Sequence, residues 1–364
     1  MKIKKIINYL ETIAPTSYQE SYDNAGLIVG NPDMEATGAI ICLDSIEAVI
    51  DEAIEKGCNL VIAHHPIVFS GLKRFNGRTY IERVVMKAIK NDIAIYASHT
   101  NLDNVKVGVN AKICEKIGLK NIQILSPKKG RLKKLYTFVP SAQSDKVRNA
   151  LFEAGAGQIG NYDEASFNLV GAGTFRANEG ANPHVGDIGK RHYEAEVKIE
   201  VIFEDYKERK IVSALKKNHP YEEVAYDVVT LDNDDNNVGS GMIGELENPM
   251  TEKAFLLHLK NEMNTPVIRH TAFNNKKVKR VAVCGGAGSF LLNKAIGQKA
   301  DVFVTGDYKY HQFFDADGKI IIADIGHYES EQFTIELFYE FLIKKFSNFA
   351  FYLTEVNTNP VKYI

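Results

Sequence analysis

Three things are scarce in this chain of 364 residues, and each scarcity weighs against a class of protein. There is no basic excess: 44 lysines and arginines stand against 46 aspartates and glutamates, for a net charge of -2. Nucleic-acid binding depends first on neutralising phosphates, so this balance disfavours it. Cysteine is limited to Cys42, Cys58, Cys114 and Cys284, with no C-x-x-C pair. Such spacing suggests neither a disulfide framework nor a zinc ribbon. Cys42, Cys58 and Cys284, in or beside apolar runs, read as buried reduced thiols. No apolar run approaches the roughly 20 residues of a membrane span. The amphipathic start MKIKKIINYLETIAP also lacks the apolar core and cleavage site of a signal peptide. The cytoplasm is therefore the expected location.

What the chain does have is rhythm. A 45% hydrophobic and 25% charged composition is that of an ordinary globular protein with a sizeable core, of two or three domains at about 150 residues each. From Met1 to Ser126 strands alternate with helices: AIICLD, then the helix SIEAVIDEAIEKG ending at Gly57, then NLVIAHHP, the helix TYIERVVMKAIKND and IAIYASHT. Continuous apolar strands in β-α-β order imply a parallel sheet covered on both faces. The order returns after Lys276 with VKRVAVCGG, the helix SFLLNKAIGQK, ADVFVTGD, KIIIADIG and a long closing helix EQFTIELFYEFLIKKF. Between these lobes the segments run β-α-β-β-α-β, the ferredoxin-like split motif, and leave through the polar stretch DNDDNN (Asp232 to Asn237). The expected fold is α/β: two similar lobes (1–126 and 246–364) with a cleft between their strand ends, and an inserted α+β domain at 127–245.

The strands end in residues that hydrophobic packing does not require. NLVIAHHP closes on His64-His65-Pro66, and IAIYASHTNLD closes on His99 with Asp103 four residues on. In the second lobe, IIIADIGHYESE closes on His327 with Glu331 four residues on. Open α/β sheets place ligands at such strand ends. Adjacent strand residues point to opposite faces, so His64 and His65 can serve neighbouring metals only where the strand turns into a loop. Otherwise they are hydrogen-bonding histidines at a sheet edge. His327 and Glu331 share one face if the chain turns helical after Gly326, and a carboxylate such as Glu331 can bridge two cations. Mixed imidazole and carboxylate ligation suits zinc, iron(II) or manganese. Two such ions, roughly 3.5–4 Å apart, activate water and polarise a substrate oxygen.

Other motifs admit two readings. His99 can support a ligand, carry a proton in catalysis or simply end a strand. Asp307 either orients a ligand or caps a helix. The glycines of CGGAGSF (Cys284 to Phe290) form an anion-holding helix start or a tight turn. In YDNAGLIVG (Tyr22 to Gly30), turn chemistry accounts for Asn24 and Gly26, while Asp23 is free to face the cleft.

Taken in order, YDNAGLIVG, AHHP, SHTNLD, CGGAGSF, TGD and GHYESE resemble the GTP cyclohydrolase 1 type 2 homologues, the NGG-interacting-factor-three-like family. In the insert, GTFRANEGANPHVG (Gly173 to Gly186) and HPYEEVAYD (His219 to Asp227) resemble a PII/CutA-like domain. The resemblance implies two divalent metal ions, zinc first and iron or manganese as alternatives, held by His64, His65, Asp103, His327 and a bridging Glu331. It pairs His65 with Asp103 on one ion and His64 with His327 on the other, and implies a homohexamer. It also implies hydrolysis of a nucleotide-like substrate, GTP opening with formate release, with His99 as proton carrier and Glu331 in the catalytic centre. Tyr22 replaces the family's more usual tryptophan. The reading from a different class is a non-catalytic metal-binding scaffold whose insert senses a ligand, with His184, His192 and His219 at hand but irregularly spaced.

Overall fold

Strands that are apolar at every position need cover on both faces, and that requirement organises the larger part of this molecule. The computed structural model describes residues 1–364. The chain divides into one unit of residues 1–127 with 236–364 and a second of residues 128–235. No helix is long and apolar enough to cross a membrane.

In the larger unit, Ala39–Asp44, Leu60–His65 and Ala94–Ala97 pair in parallel and are buried almost throughout. Gly26–Val29 flanks them antiparallel on one edge, completing with Phe351–Leu353 a five-stranded sheet. The second sheet repeats the device with Lys277–Ala287, Val302–Gly306 and Ile321–Asp324, again parallel. Arg269–His270, Asp235–Thr251 and Lys120–Lys128 extend it to six strands. Two similar α/β lobes result. One buried cluster joins them, running from Ile41 and Ile62 through Phe255 and Phe338 to Val281 and Val304. The first helix, Ile3–Ile13, packs Ile3, Ile6, Ile7 and Leu10 inward, the spacing of a one-faced helix.

The lobes also exchange strands. Lys120–Lys128, from the first half of the chain, lies on the edge of the second sheet. Phe351–Leu353, near the chain's end, pairs in parallel with Ala39–Asp44 in the first. The expected closing helix is therefore not the last element. It forms as Thr334–Lys345, preceded by a separate short helix His327–Glu331, and delivers the chain back to the first sheet.

The smaller unit follows the split order: Leu132–Pro140, helix Ser144–Glu153, Ser166–Arg176, Arg191–Glu204, helix Glu208–Asn218 and Tyr226–Leu231. Its four strands pair antiparallel throughout. Alternation sends Val197, Ile199, Val201 and Phe203 to the helix-covered face, where they meet Val147, Leu151, Ile211 and Leu215. The expectation carried this insert to Glu245, but the strand Asp235–Thr251 runs on into the larger unit. Val238, Met242, Ile243 and Leu246 are buried in that unit's clusters, and the polar stretch before them could not reveal it.

Phe303 is fully buried among Ile243, Ala282, Leu292 and Ile322 of the second lobe. Phe303→Ala should cost about 3–5 kcal/mol, read as a lower urea midpoint for the larger unit.

Candidate metal centre

The parallel sheets align their strand ends, so side chains at those ends converge. Asp44 stands in register with His65, and Thr305 with Asp324 in the other lobe. His64 is fully buried, and its Nδ1 lies 2.9 Å from the carbonyl oxygen of Ser98. A carbonyl only accepts, so Nδ1 carries the proton and Nε2 keeps its lone pair. That Nε2 lies 3.7 Å from Asp103 Oδ1 and 3.8 Å from Glu331 Oε2. Neither His64 Nε2 nor Asp103 Oδ1 has a hydrogen-bond partner, although both are shut off from solvent.

Glu331 sits at the centre, 3% exposed. Its Oε2 is 3.0 Å from His65 Nε2 and 3.1 Å from His327 Nε2. The helix His327–Glu331 starts from Gly326 at φ +96°, and its single turn brings His327 and Glu331 to one face. Gly286 makes room for them: at φ +60°, a Cβ there would lie 2.6 Å from Glu331 Oε1.

Each outer imidazole nitrogen is braced. Asp44 Oδ1 holds His65 Nδ1 at 2.8 Å, Asp307 Oδ2 holds His327 Nδ1 at 2.7 Å, and Asp23 Oδ1 holds His99 Nδ1 at 2.7 Å. Such carboxylates set the ring orientation and raise the basicity of the inward nitrogen. Asp307 therefore orients a ring, while Asp23, its side chain closed off from solvent, reaches the cleft only through His99. The glycine loop serves as a turn: the amides of Gly285, Gly286 and Gly288 donate to Asn110 Oδ1, Ser330 Oγ and Thr305 Oγ1. Those amides are engaged inside the protein and do not form an anion cradle.

The charges are frustrated. Burial drives His64 down to about 4 despite the pull of Glu331. Burial also opposes charge on His65, but its contacts with Asp44 and Glu331 hold it up at about 9. The charge of Glu331 lifts His327 to about 11, against burial and with help from Asp307. Burial and then repulsion from Glu331 push Asp103 well above the ordinary carboxylate range. Glu331 pays the same burial cost, yet His327 and the other imidazoles keep it ionised.

All five expected ligands thus meet, together with His99. Donor atoms fall within 4.8 Å of one another in three groups: His64 with Asp103 and Glu331, His65 with His327 and Glu331, and His64 with His65 and His99. This geometry pairs His64 with Asp103 and His65 with His327, the reverse of the pairing that the resemblance implies. Asp44 was not singled out from the sequence. Its one signal is that AIICLD, like the neighbouring strand, ends in a ligand-type residue. A cavity of about 780 Å³ lies over the cluster, with Tyr22, Phe69, Tyr80, Phe290 and Arg269 in its lining. In the smaller unit, His219 uses both nitrogens, on the Phe138 carbonyl and the Tyr221 amide. His192 is paired with Glu194.

The model of the Duf34/NIF3 (NGG1p interacting factor 3) family matches residues 1–360. The chain belongs to this family. A Halalkalibacterium halodurans protein named GTP cyclohydrolase 1 type 2 homolog is 42% identical over 325 residues, 88% of this chain and 87% of its own. A Bacillus subtilis protein of the same name is 37% identical, covering 99% of this chain and 98% of its own. The crystal structure of a Bacillus cereus protein related to NIF3 matches with a TM-score of 0.87 at 37% identity, over 100% of this chain and 99% of that one.

Within this Duf34/NIF3 chain, Asp23 offers a test of the bracing. Burial would raise its carboxyl, but hydrogen bonds to His99 and Thr100 hold it down at about 2. A depressed carboxylate stabilises the fold above its unfolded pKa, and that contribution fades as pH falls from about 4 through 2. Wild type should therefore lose on the order of 2 kcal/mol more than Asp23→Asn over that window, measured by urea unfolding at each pH.

Proposed function

We propose that this Duf34/NIF3 protein is a metal-dependent hydrolase of a nucleotide-like small molecule, with GTP ring opening and formate release as its leading reaction. The observation that carries the metal is the pair of orphaned atoms, His64 Nε2 and Asp103 Oδ1, buried and facing each other at 3.7 Å. A buried polar atom without a partner costs about 1–3 kcal/mol; a cation between donors of this kind removes that cost. The donor set suits two ions: His64 and Asp103 would hold one, His65 and His327 the other, and Glu331 would serve both. Imidazole with carboxylate suits zinc first, then iron(II) or manganese. Bound divalent ions would supply Lewis acidity for hydrolysis.

The chain's own residues contribute the rest. His99, held by Asp23 and with its ring 5.3 Å from that of His64, is placed to carry a proton at the cluster's edge. Tyr22, Phe69, Tyr80 and Phe290 line the cavity and offer faces on which a planar base stacks. The GTP reaction rests on the likeness to relatives named GTP cyclohydrolase 1 type 2 homolog.

The test is formate release from GTP by protein reconstituted separately with zinc, iron(II) and manganese, with metal content recorded. Formate should depend on metal, and Glu331→Gln should abolish it while losing bound metal. Fully loaded protein that releases no formate would exclude the GTP reaction. A mutant that keeps both metal and activity would remove Glu331 from the site.

A further inference from the structure

The smaller unit carries a second cavity, of about 720 Å³, within the roughly 300–1,000 Å³ range of small-molecule sites. It lies on the sheet face opposite the helices. Strand alternation explains why: Val197 and Ile199 point to the helices, so Glu196 and Lys198 point away from them. Glu196 is flanked in register by Gly171 on one neighbouring strand and Pro140 on the other. No long side chain rises on either side of it. Gly173 is needed as well, because a Cβ there would lie 2.0 Å from Glu196 Oε2.

Glu196 is the unusual residue. It lines the cavity and is only 8% exposed. Its Oε1 accepts a hydrogen bond from Tyr221 at 2.9 Å, while Oε2 makes none. Tyr221 is itself oriented by His219, whose Nδ1 accepts from the Tyr221 amide at 3.1 Å and whose Nε2 is held by the Phe138 carbonyl at 3.0 Å. The loop forming the wall is tied down, since the Asn182 amide donates to Glu222 Oε1 at 2.8 Å. The two motif stretches of the insert, Gly173 to Gly186 and His219 to Asp227, thus meet in the lining of one pocket.

The lining favours positive charge. Glu179, Glu196, Glu222 and Glu223 outnumber Arg176 and Lys198. Lys198 is also drawn away, its Nζ 2.6 Å from Glu200 and 4.5 Å over the Tyr136 ring. Aromatic faces stand close by: Phe175 and Tyr221 have centroids 5.9 Å apart, and His184 lies 6.2 Å from Tyr221. A metal ion fits less well, because His219 has both nitrogens engaged and every metal-capable group in the molecule lies in the larger unit. A buried carboxylate under aromatic rings matches an organic cation, through a charge-assisted hydrogen bond and cation–π attraction.

We propose that the smaller unit binds an organic cation of metabolite size, an amine on an apolar or aromatic body, with Glu196 as its counter-ion and Phe175 and Tyr221 as its faces. This site is independent of the metal centre. The test is calorimetry on the full chain with phenethylamine, agmatine and tetramethylammonium, against neutral 2-phenylethanol and anionic ATP. At least one cation should bind at least about tenfold more tightly than 2-phenylethanol, and Glu196→Gln should weaken it by at least about tenfold. Phe175→Ala, which leaves the carboxylate in place, should weaken it severalfold and decides the matter if Glu196→Gln does not fold. Three results would each overturn the proposal: no binding by any of the three cations up to about 10 mM, binding unchanged in the folded variants, or tighter binding of ATP than of the cations.

Discussion

Burying an ionised carboxylate costs several kcal/mol unless charge and hydrogen bonds surround it, and Glu331 is buried at the junction of two lobes. His327 reaches it from its own helix, and His65 and His64 from the opposite sheet. Around this one group the rest of the site falls into place. Gly286 stays bare because a side chain would strike the Glu331 carboxylate. Ser330 ties the glycine loop to the helix carrying Glu331, accepting from the Gly286 amide while donating to the His327 carbonyl.

Both lobes solve the orientation of an imidazole in the same way. A strand end supplies the ring in one lobe and the helix that follows a strand supplies it in the other, and a carboxylate from a neighbouring strand end or loop grips the outer nitrogen: Asp44 for His65, Asp307 for His327. His64 differs. Its outer nitrogen leans on a backbone carbonyl instead of a carboxylate, and burial keeps the ring neutral, its one proton on Nδ1. The asymmetry leaves one half of the cluster rich in charge pairs and the other holding two unsatisfied atoms. A cation would relieve the second half most.

The smaller unit is built on another principle. Its helices cover one face of the sheet, and the opposite face is hollowed where Gly171, Gly173 and Pro140 surround Glu196. Glu331 and Glu196, one buried carboxylate in each cavity, are therefore served differently. Glu331 has imidazoles on hand, whereas Glu196 has a single tyrosine hydroxyl and open space.

Local periodicity made the parallel strands, their helices and the split β-α-β order legible, because burial on both faces or one writes itself directly into residue type. The candidate metal-binding residues were legible too, because hydrophobic packing does not require apolar strands to end in His-His or His-x-x-x-acid. Long-range register is not written locally. Nothing near Phe351 says that it joins the first sheet, nor does DNDDNN reveal that a strand of the larger unit starts within it. Asp44 gained its role only when pairing set it beside His65. CGGAGSF became a turn rather than an anion cradle when Asn110, Ser330 and Thr305 came within reach of its amides. The amino-acid sequence by itself determined which elements form and which residue types could bind a metal, since these follow from neighbours a few positions apart. Only the tertiary structure decided that His64 faces Asp103 while His65 faces His327, because a few ångströms between distant strand ends depend on how two whole sheets pack.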